Sequence, residues 1–140
     1  MTTYRLPYGK TFLDLELPAG WQVTLLAPRP APAAADPLAA VCAALDENPI
    51  GIPGNASTGR VAIAINDKTR PVPHHHLLPP LLDRLAALGF APERITLLIA
   101  TGTHAPMPRE EFPQVLPPEI IARYPIFSHD CNDTANLIEL

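Results

Sequence analysis

With 140 residues, 10 Lys and Arg against 14 Asp and Glu, and a net charge of -4, the chain has length enough for one domain with its own core and no cationic surplus for a nucleic-acid backbone. Hydrophobic residues at 47% and charged ones at 17% exclude disorder throughout, and no stretch reaches the roughly 20 apolar residues that a membrane span needs. The 19 prolines and 7 glycines read as punctuation between elements.

The opening MTTYRLPYGK lacks the apolar centre of a signal peptide, which makes the cytoplasm the expected location. Leu6-Pro7-Tyr8-Gly9-Lys10 predicts the turn of a hairpin. Leu13, Leu15 and Leu17 then alternate with Asp14 and Glu16, the period of a half-exposed strand, with Phe12 on the carboxylate side and something expected to cover it. Trp21 to Leu26 predicts a further strand after Pro18-Ala19-Gly20, so that residues 1–27 form a small antiparallel β unit. Residues 28–37 carry Pro28, Pro30, Pro32 and Pro37 among alanines, the composition of an extended connector.

Residues 38–140 predict an α/β unit. Asp36 caps a helix whose first position is Pro37, with Leu38, Val41, Cys42 and Leu45 on one face and an end before Pro49. The turn-rich NPIGIPGNASTG, residues 48–59, should cross the surface. Val61–Ile65 and Ile95–Ala100 are short apolar runs suited to parallel strands buried on both faces. Between them Leu77, Leu78, Leu81, Leu82, Leu85 and Leu88 make a helical stripe ending at Gly89, which completes a βαβ unit. Pro79 and Pro80 oppose a helix from His74: either its first turn is distorted or the regular helix starts near Pro79. A helix starting at Pro108 is broken by Pro113 and Pro117-Pro118, Ile126–Ser128 is one more strand, and Asn136 to Leu140 begins another. The expected fold is α/β, a Rossmann-like, mostly parallel sheet flanked by helices, with the small antiparallel unit in front. Cys42 and Cys131 are expected as reduced thiols, at least one packed as a small hydrophobe.

Open α/β sheets bind ligands at the carboxyl ends of their strands, where two polar clusters fall: Asn66-Asp67-Lys68-Thr69-Arg70 and Thr101-Gly102-Thr103-His104. Arg70 offers a planar fork for a carboxylate or phosphate, stiffened by Pro71 and Pro73. Asp67 either orients a neighbouring imidazole or pairs with Arg70 merely to tie down the loop; spacing weighs the two equally. His104 is the candidate acid/base. Thr101, Gly102 and Thr103 bring amides and hydroxyls to cup an anion, Thr69 joins them or bonds the backbone, and Lys68 is read as solvated. Neither a P-loop nor GxGxxG is present. His74, His75 and His76 are adjacent, not at the i, i+4 spacing of a helical zinc pair, and no CxxC or HExxH organises His129, Asp130, Cys131 and Asp133, so no metal site is assigned.

INDKTRPVP resembles the D-x-T-R-P segment of the nickel-dependent lactate racemase family, and IATGTHAPM resembles its A-T-G-x-H-x-P segment. LPYGK, NPIG, the proline of LLPPLLDRL and SHD occur in the family's order, so the resemblance spans nearly the whole chain as the first part of the N-terminal domain. It implies a mechanism in which a nickel-pincer nucleotide accepts hydride from C2 of a 2-hydroxy acid while a histidine takes the hydroxyl proton, the resulting ketone then receiving hydride on its other face. On that likeness His104 matches one of two acid/base histidines, Arg70 the substrate anchor and Asp67 its polar partner. Thr69, Thr101, Gly102 and Thr103 would then serve the cofactor. The family's cofactor lysine and second histidine lie downstream of residue 140, and neither Lys10 nor Lys68 matches that lysine. Ala105 stands where many members have a basic residue, and HHH replaces a less histidine-rich stretch.

The expectation is therefore the N-terminal portion of a racemase or epimerase of 2-hydroxy acids or sugar acids, inactive alone and partnered by the C-terminal part of the same protein, with self-association through uncovered apolar surface. The alternatives are a non-catalytic phosphate- or carboxylate-binding module and a structural domain.

Overall fold

The computed structural model describes residues 1–48 and 59–136, in two compact units, Met1–Ala33 and Ala34–Leu140. The turn-rich segment read across 48–59 and the strand expected from Asn136 lie almost wholly outside the described residues.

In the first unit β1 (Thr2–Tyr8) pairs antiparallel with β2 (Thr11–Leu17), from Thr2 opposite Leu17 to Tyr8 opposite Thr11. The loop is only Gly9 and Lys10, closed by the Thr11 hydroxyl donating to the Tyr8 carbonyl at 2.9 Å, so Leu6, Pro7 and Tyr8 belong to the strand and not to the turn. Phe12 on the carboxylate face stays 58% exposed, with only the Arg5 guanidinium over its ring, 4.5 Å from the centre. The strand expected over Trp21 to Leu26 does not form. Its Trp, Val and Thr suit a pleated surface, but among the described residues the only backbone hydrogen bond of the segment runs from the Trp21 amide to the Pro18 carbonyl at 3.4 Å, and strand propensity without a ladder gives no strand.

In the second unit α1 (Pro37–Glu47) starts as expected, the Asp36 carboxylate accepting from the Ala39 amide at 3.0 Å. The helix packs beside α2 (His74–Ala87), half-burying Val41 and Leu45, and Asp46 pairs with Arg84. Cys42 is exposed and Cys131 half-buried, both as free thiols, so the expected packed cysteine is absent: no described element covers the Cys42 side of α1 completely.

Among the described residues three parallel strands form the sheet in the order β3 (Val61–Asn66), β4 (Ile95–Ala100), β5 (Ile126–Ser128). Register runs from Val61 beside Ile95 to Asn66 beside Ala100, and Leu97 stands beside Ile126. α2 links β3 to β4; a 3₁₀ turn at Arg109–Gln114 and α3 (Pro118–Arg123) link β4 to β5. Leu78, Leu82 and Leu85 of α2 join Ile65, Ile95, Leu97, Ile99 and Ile126 of the sheet, with Phe112, Leu116 and Ile120 of the second connection, in one core. Each such side chain contributes about 1.5–3 kcal/mol by leaving water.

Burial on both faces, expected of β3 and β4, is only half realised. Ile65, Ile95, Leu97 and Ile99 are buried, whereas Ala62 and Ala64 are exposed, Thr96 and Leu98 half-buried, and Phe127 is 60% exposed. A sheet that advances strand by strand in one direction, with crossovers of one hand, receives its connections on one face.

Helix α2 runs from His74 through Pro79 and Pro80 without interruption. The two prolines remove amides that would have met the carbonyls of His75 and His76, but burial of Leu78 and Leu82 holds the turn. His74, buried at the first position, donates from Nδ1 to the Val115 carbonyl at 3.0 Å; a carbonyl can only accept, which fixes the proton on that nitrogen. Gly89 at φ +93 closes the helix, its amide bonding Ala86 and the Phe90 amide bonding Leu85, while Phe90 is buried in the same core as Leu85. No helix among the described residues is long and apolar enough to cross a membrane.

Candidate active site

Because Asn66 and Ala100 are register partners, the chain leaves β3 and β4 at one level. The two polar clusters therefore emerge side by side. Asn66, Asp67 and Arg70 from one loop and Thr101, Gly102, Thr103 and His104 from the other line a cleft of about 390 Å³.

Asp67 is at the centre of the hydrogen bonding. It is 3% exposed, and its Oδ2 lies 2.7 Å from His104 Nδ1. Its Oδ1 accepts from the Thr69 hydroxyl at 2.7 Å and from the Thr69 amide at 3.1 Å, while its carbonyl accepts from the Arg70 amide in a tight turn. The Thr69 hydroxyl, then His104, hold the carboxyl below its ordinary value of 3.8, against the opposing effect of burial. Asp67 forms no ion pair with Arg70; the hydrogen bond between the two residues joins main-chain atoms. Arg70 is exposed and has no carboxylate partner among the described residues. Of the two readings left open by the spacing, the carboxylate holds an imidazole and leaves the guanidinium for something else.

The second loop is bent by Gly102 at φ +61, and the His104 amide closes the turn onto the Thr101 carbonyl at 3.1 Å. A side chain at Gly102 would meet nothing within 4 Å, so the backbone angle alone calls for glycine. Thr101 is buried, and its hydroxyl donates to the His129 carbonyl at 2.8 Å, binding the end of β4 to the end of β5. The amides of Gly102 and Thr103 donate to no acceptor among the described residues.

On the other side of Asp67 and His104 lies a second hollow of about 520 Å³, bounded by Pro106, Met107 and Pro108. There Lys68, read as solvated, pairs with Glu111 at 2.7 Å. The two are 43 positions apart, and nothing in the local pattern announces the pair. The Thr69 to Asp67 bond, also missed, had a signal: a carboxylate two residues before a threonine is the spacing of an Asx turn. His75 and His76 lie ring against ring, centres 4.0 Å apart, and among the described residues no three His, Cys, Asp or Glu gather as a metal site, the stretch from His129 to Asp133 included.

The lactate racemase N-terminal domain model matches residues 8–140. A protein from Lactiplantibacillus plantarum (strain ATCC BAA-793 / NCIMB 8826 / WCFS1) named lactate racemase is 34% identical over 99 residues, covering 67% of this chain. The chain spans 23% of that relative's length. Motifs, cleft and match agree, and the chain belongs to the family of lactate racemase N-terminal domains.

Proposed function

We propose that this chain is the N-terminal portion of a nickel-pincer-dependent racemase or epimerase, acting on a small 2-hydroxy acid or sugar acid and completed by a C-terminal part of the same protein. One observation carries the reading: an imidazole held at Nδ1 by a buried carboxylate shares a cleft with a guanidinium that has no ion-pair partner among the described residues. His104 keeps Nε2 for proton exchange, its side chain being 48% exposed. Arg70 takes the substrate carboxylate in its fork, which sets the 2-hydroxyl against the imidazole. His104 exchanges the hydroxyl proton of one enantiomer, the second histidine of the complete protein serves the other, and Asp67 stabilises the imidazolium that His104 becomes.

When bound, the nickel-pincer nucleotide supplies a hydride acceptor for C2. The cleft suits its anionic part at the free amides of Gly102 and Thr103, within reach of the Arg70 cation. The hydroxyls of Thr69 and Thr101 contribute less, since their protons are engaged by Asp67 and His129.

The test is the complete, cofactor-loaded enzyme assayed with single enantiomers of 2-hydroxy acids. Racemisation that is lost in His104→Ala and falls by roughly 10- to 100-fold in Arg70→Ala supports the reading, and unchanged turnover in both overturns it. A second reading, an anion-binding module without catalysis, is favoured by the same unpaired Arg70. Calorimetric binding of lactate or phosphate to the chain, lost in Arg70→Ala, together with an inactive complete enzyme, would select it.

A further inference from the structure

Thr69 Oγ1 lies 2.7 Å from Asp67 Oδ1 and 3.3 Å from His104 Nδ1, touching both members of the pair. Its single proton has one destination. Asp67, ionised, can only accept, so the hydroxyl donates to Oδ1 and turns a lone pair toward His104. Nδ1 of His104 then faces two acceptors, Asp67 Oδ2 at 2.7 Å and Thr69 Oγ1 at 3.3 Å. An unprotonated Nδ1 would set lone pair against lone pair on both sides. We propose that Thr69 is a positioning residue whose hydroxyl locks the Asp67 carboxylate and thereby fixes His104 in the Nδ1–H tautomer, leaving Nε2 as the basic nitrogen.

The proposal rests on the reading of His104 as the proton acceptor and adds the device that makes it one. The alternative state, with Nε2 protonated and Nδ1 accepting from the Thr69 hydroxyl, has no base to offer a substrate hydroxyl. The Thr69 to Asp67 bond excludes that state by committing the hydroxyl proton elsewhere. The Thr69 amide on the same Oδ1, at 3.1 Å, keeps the carboxylate near the loop when the hydroxyl is removed, so the loss falls on orientation more than on the fold. Thr69 is exposed, and its substitution opens no cavity in the core.

The experiment needs neither cofactor nor turnover. Long-range proton–nitrogen spectra of the ¹⁵N-labelled chain, at a pH where the imidazoles are neutral, read the Nδ1–H to Nε2–H ratio of His104. The wild-type chain is expected to hold Nδ1–H as the dominant form. In Thr69→Val the ratio falls by about fivefold, the factor that one hydrogen bond of ordinary net strength supplies, and Thr69→Ser restores it. Buried His74, pinned to Val115, reports that the fold is intact; should valine disturb it, Thr69→Ala reads the same ratio. An unchanged ratio in the folded variants, or a serine variant that behaves like valine, overturns the proposal. A ratio that responds while the complete enzyme is indifferent to His104→Ala leaves the positioning role standing and removes the racemase reading alone.

Discussion

His104 Nδ1 and Asp67 Oδ2 meet at 2.7 Å across 37 positions of sequence, joining the loop after β3 to the loop after β4. The carboxylate is buried and the imidazole half-exposed. That asymmetry matters chemically: the charged partner is fixed where water cannot compete, and the titrating partner faces the cleft. Asp67 being engaged by an imidazole and a threonine, Arg70 stands without a carboxylate partner among the described residues.

Arg70 should thus be important for substrate and unimportant for folding. Arg70→Ala is expected to leave stability within about 0.5 kcal/mol, as for a surface residue without partners. In the complete enzyme it should lower kcat/KM by roughly 10- to 100-fold, the worth of a charge-assisted hydrogen bond. Arg70→Lys should recover only part, since an ammonium cannot reproduce the fork. A melting temperature that falls with the activity would return Arg70 to a structural role.

Asp67 makes a prediction about acid. Its carboxyl is held below 3.8 in the folded chain, so the unfolded state binds the proton more readily. The resulting stabilisation is complete above that ordinary value and is lost as pH falls through the lower folded one. Urea midpoints measured from about pH 5 down to about pH 2.5 should therefore decline less steeply in Asp67→Asn than in wild type, from a lower starting point. Parallel declines would mean that the carboxyl is not depressed.

The elements that could be read from sequence are those whose cause is local. The Asp36 cap, the helix α2, the Gly89 stop and the strands β3 and β4 each depend on neighbours within a few residues, and each is found, although Leu77 and Leu88 of the expected stripe face solvent. The meeting of the two polar loops was legible through the rule that strand ends converge. What could not be read depends on partners elsewhere in the chain. Trp21 to Leu26 has the composition of a strand but no ladder to join, and Lys68 finds Glu111 only after the chain has folded. Whether Asp67 would choose His104 or Arg70 was a matter of geometry that spacing does not encode.

Gly102 tests whether the second loop is built by its backbone. With nothing within 4 Å of the point where a Cβ would stand, Gly102→Ala brings no clash, and its cost is the left-handed angle at φ +61, about 1–2 kcal/mol. The loop can escape that strain by flattening, which moves the Thr103 amide and His104. The variant should accordingly lose affinity for carboxylate or phosphate in calorimetry by more than its small loss of stability in urea implies. Equal, minor losses in both would show that the loop's curvature is not needed for the anion.

The one-sided sheet gives the sharpest stability contrast, because Leu97 and Leu98 are adjacent on β4 yet face opposite ways. Leu97 has no exposed surface and sits in the core beneath α2, so Leu97→Ala should cost about 2–5 kcal/mol in a urea titration. Leu98 is half-buried on the face that also carries exposed Phe127, and the same truncation there removes less apolar contact and leaves no enclosed cavity. Leu98→Ala should cost less than about 1.5 kcal/mol, nearer to a surface change than to a core deletion. Comparable losses at the two positions would mean that the second face is covered in solution, and a protein-concentration dependence of the Leu98→Ala loss would identify another copy of the chain as the cover.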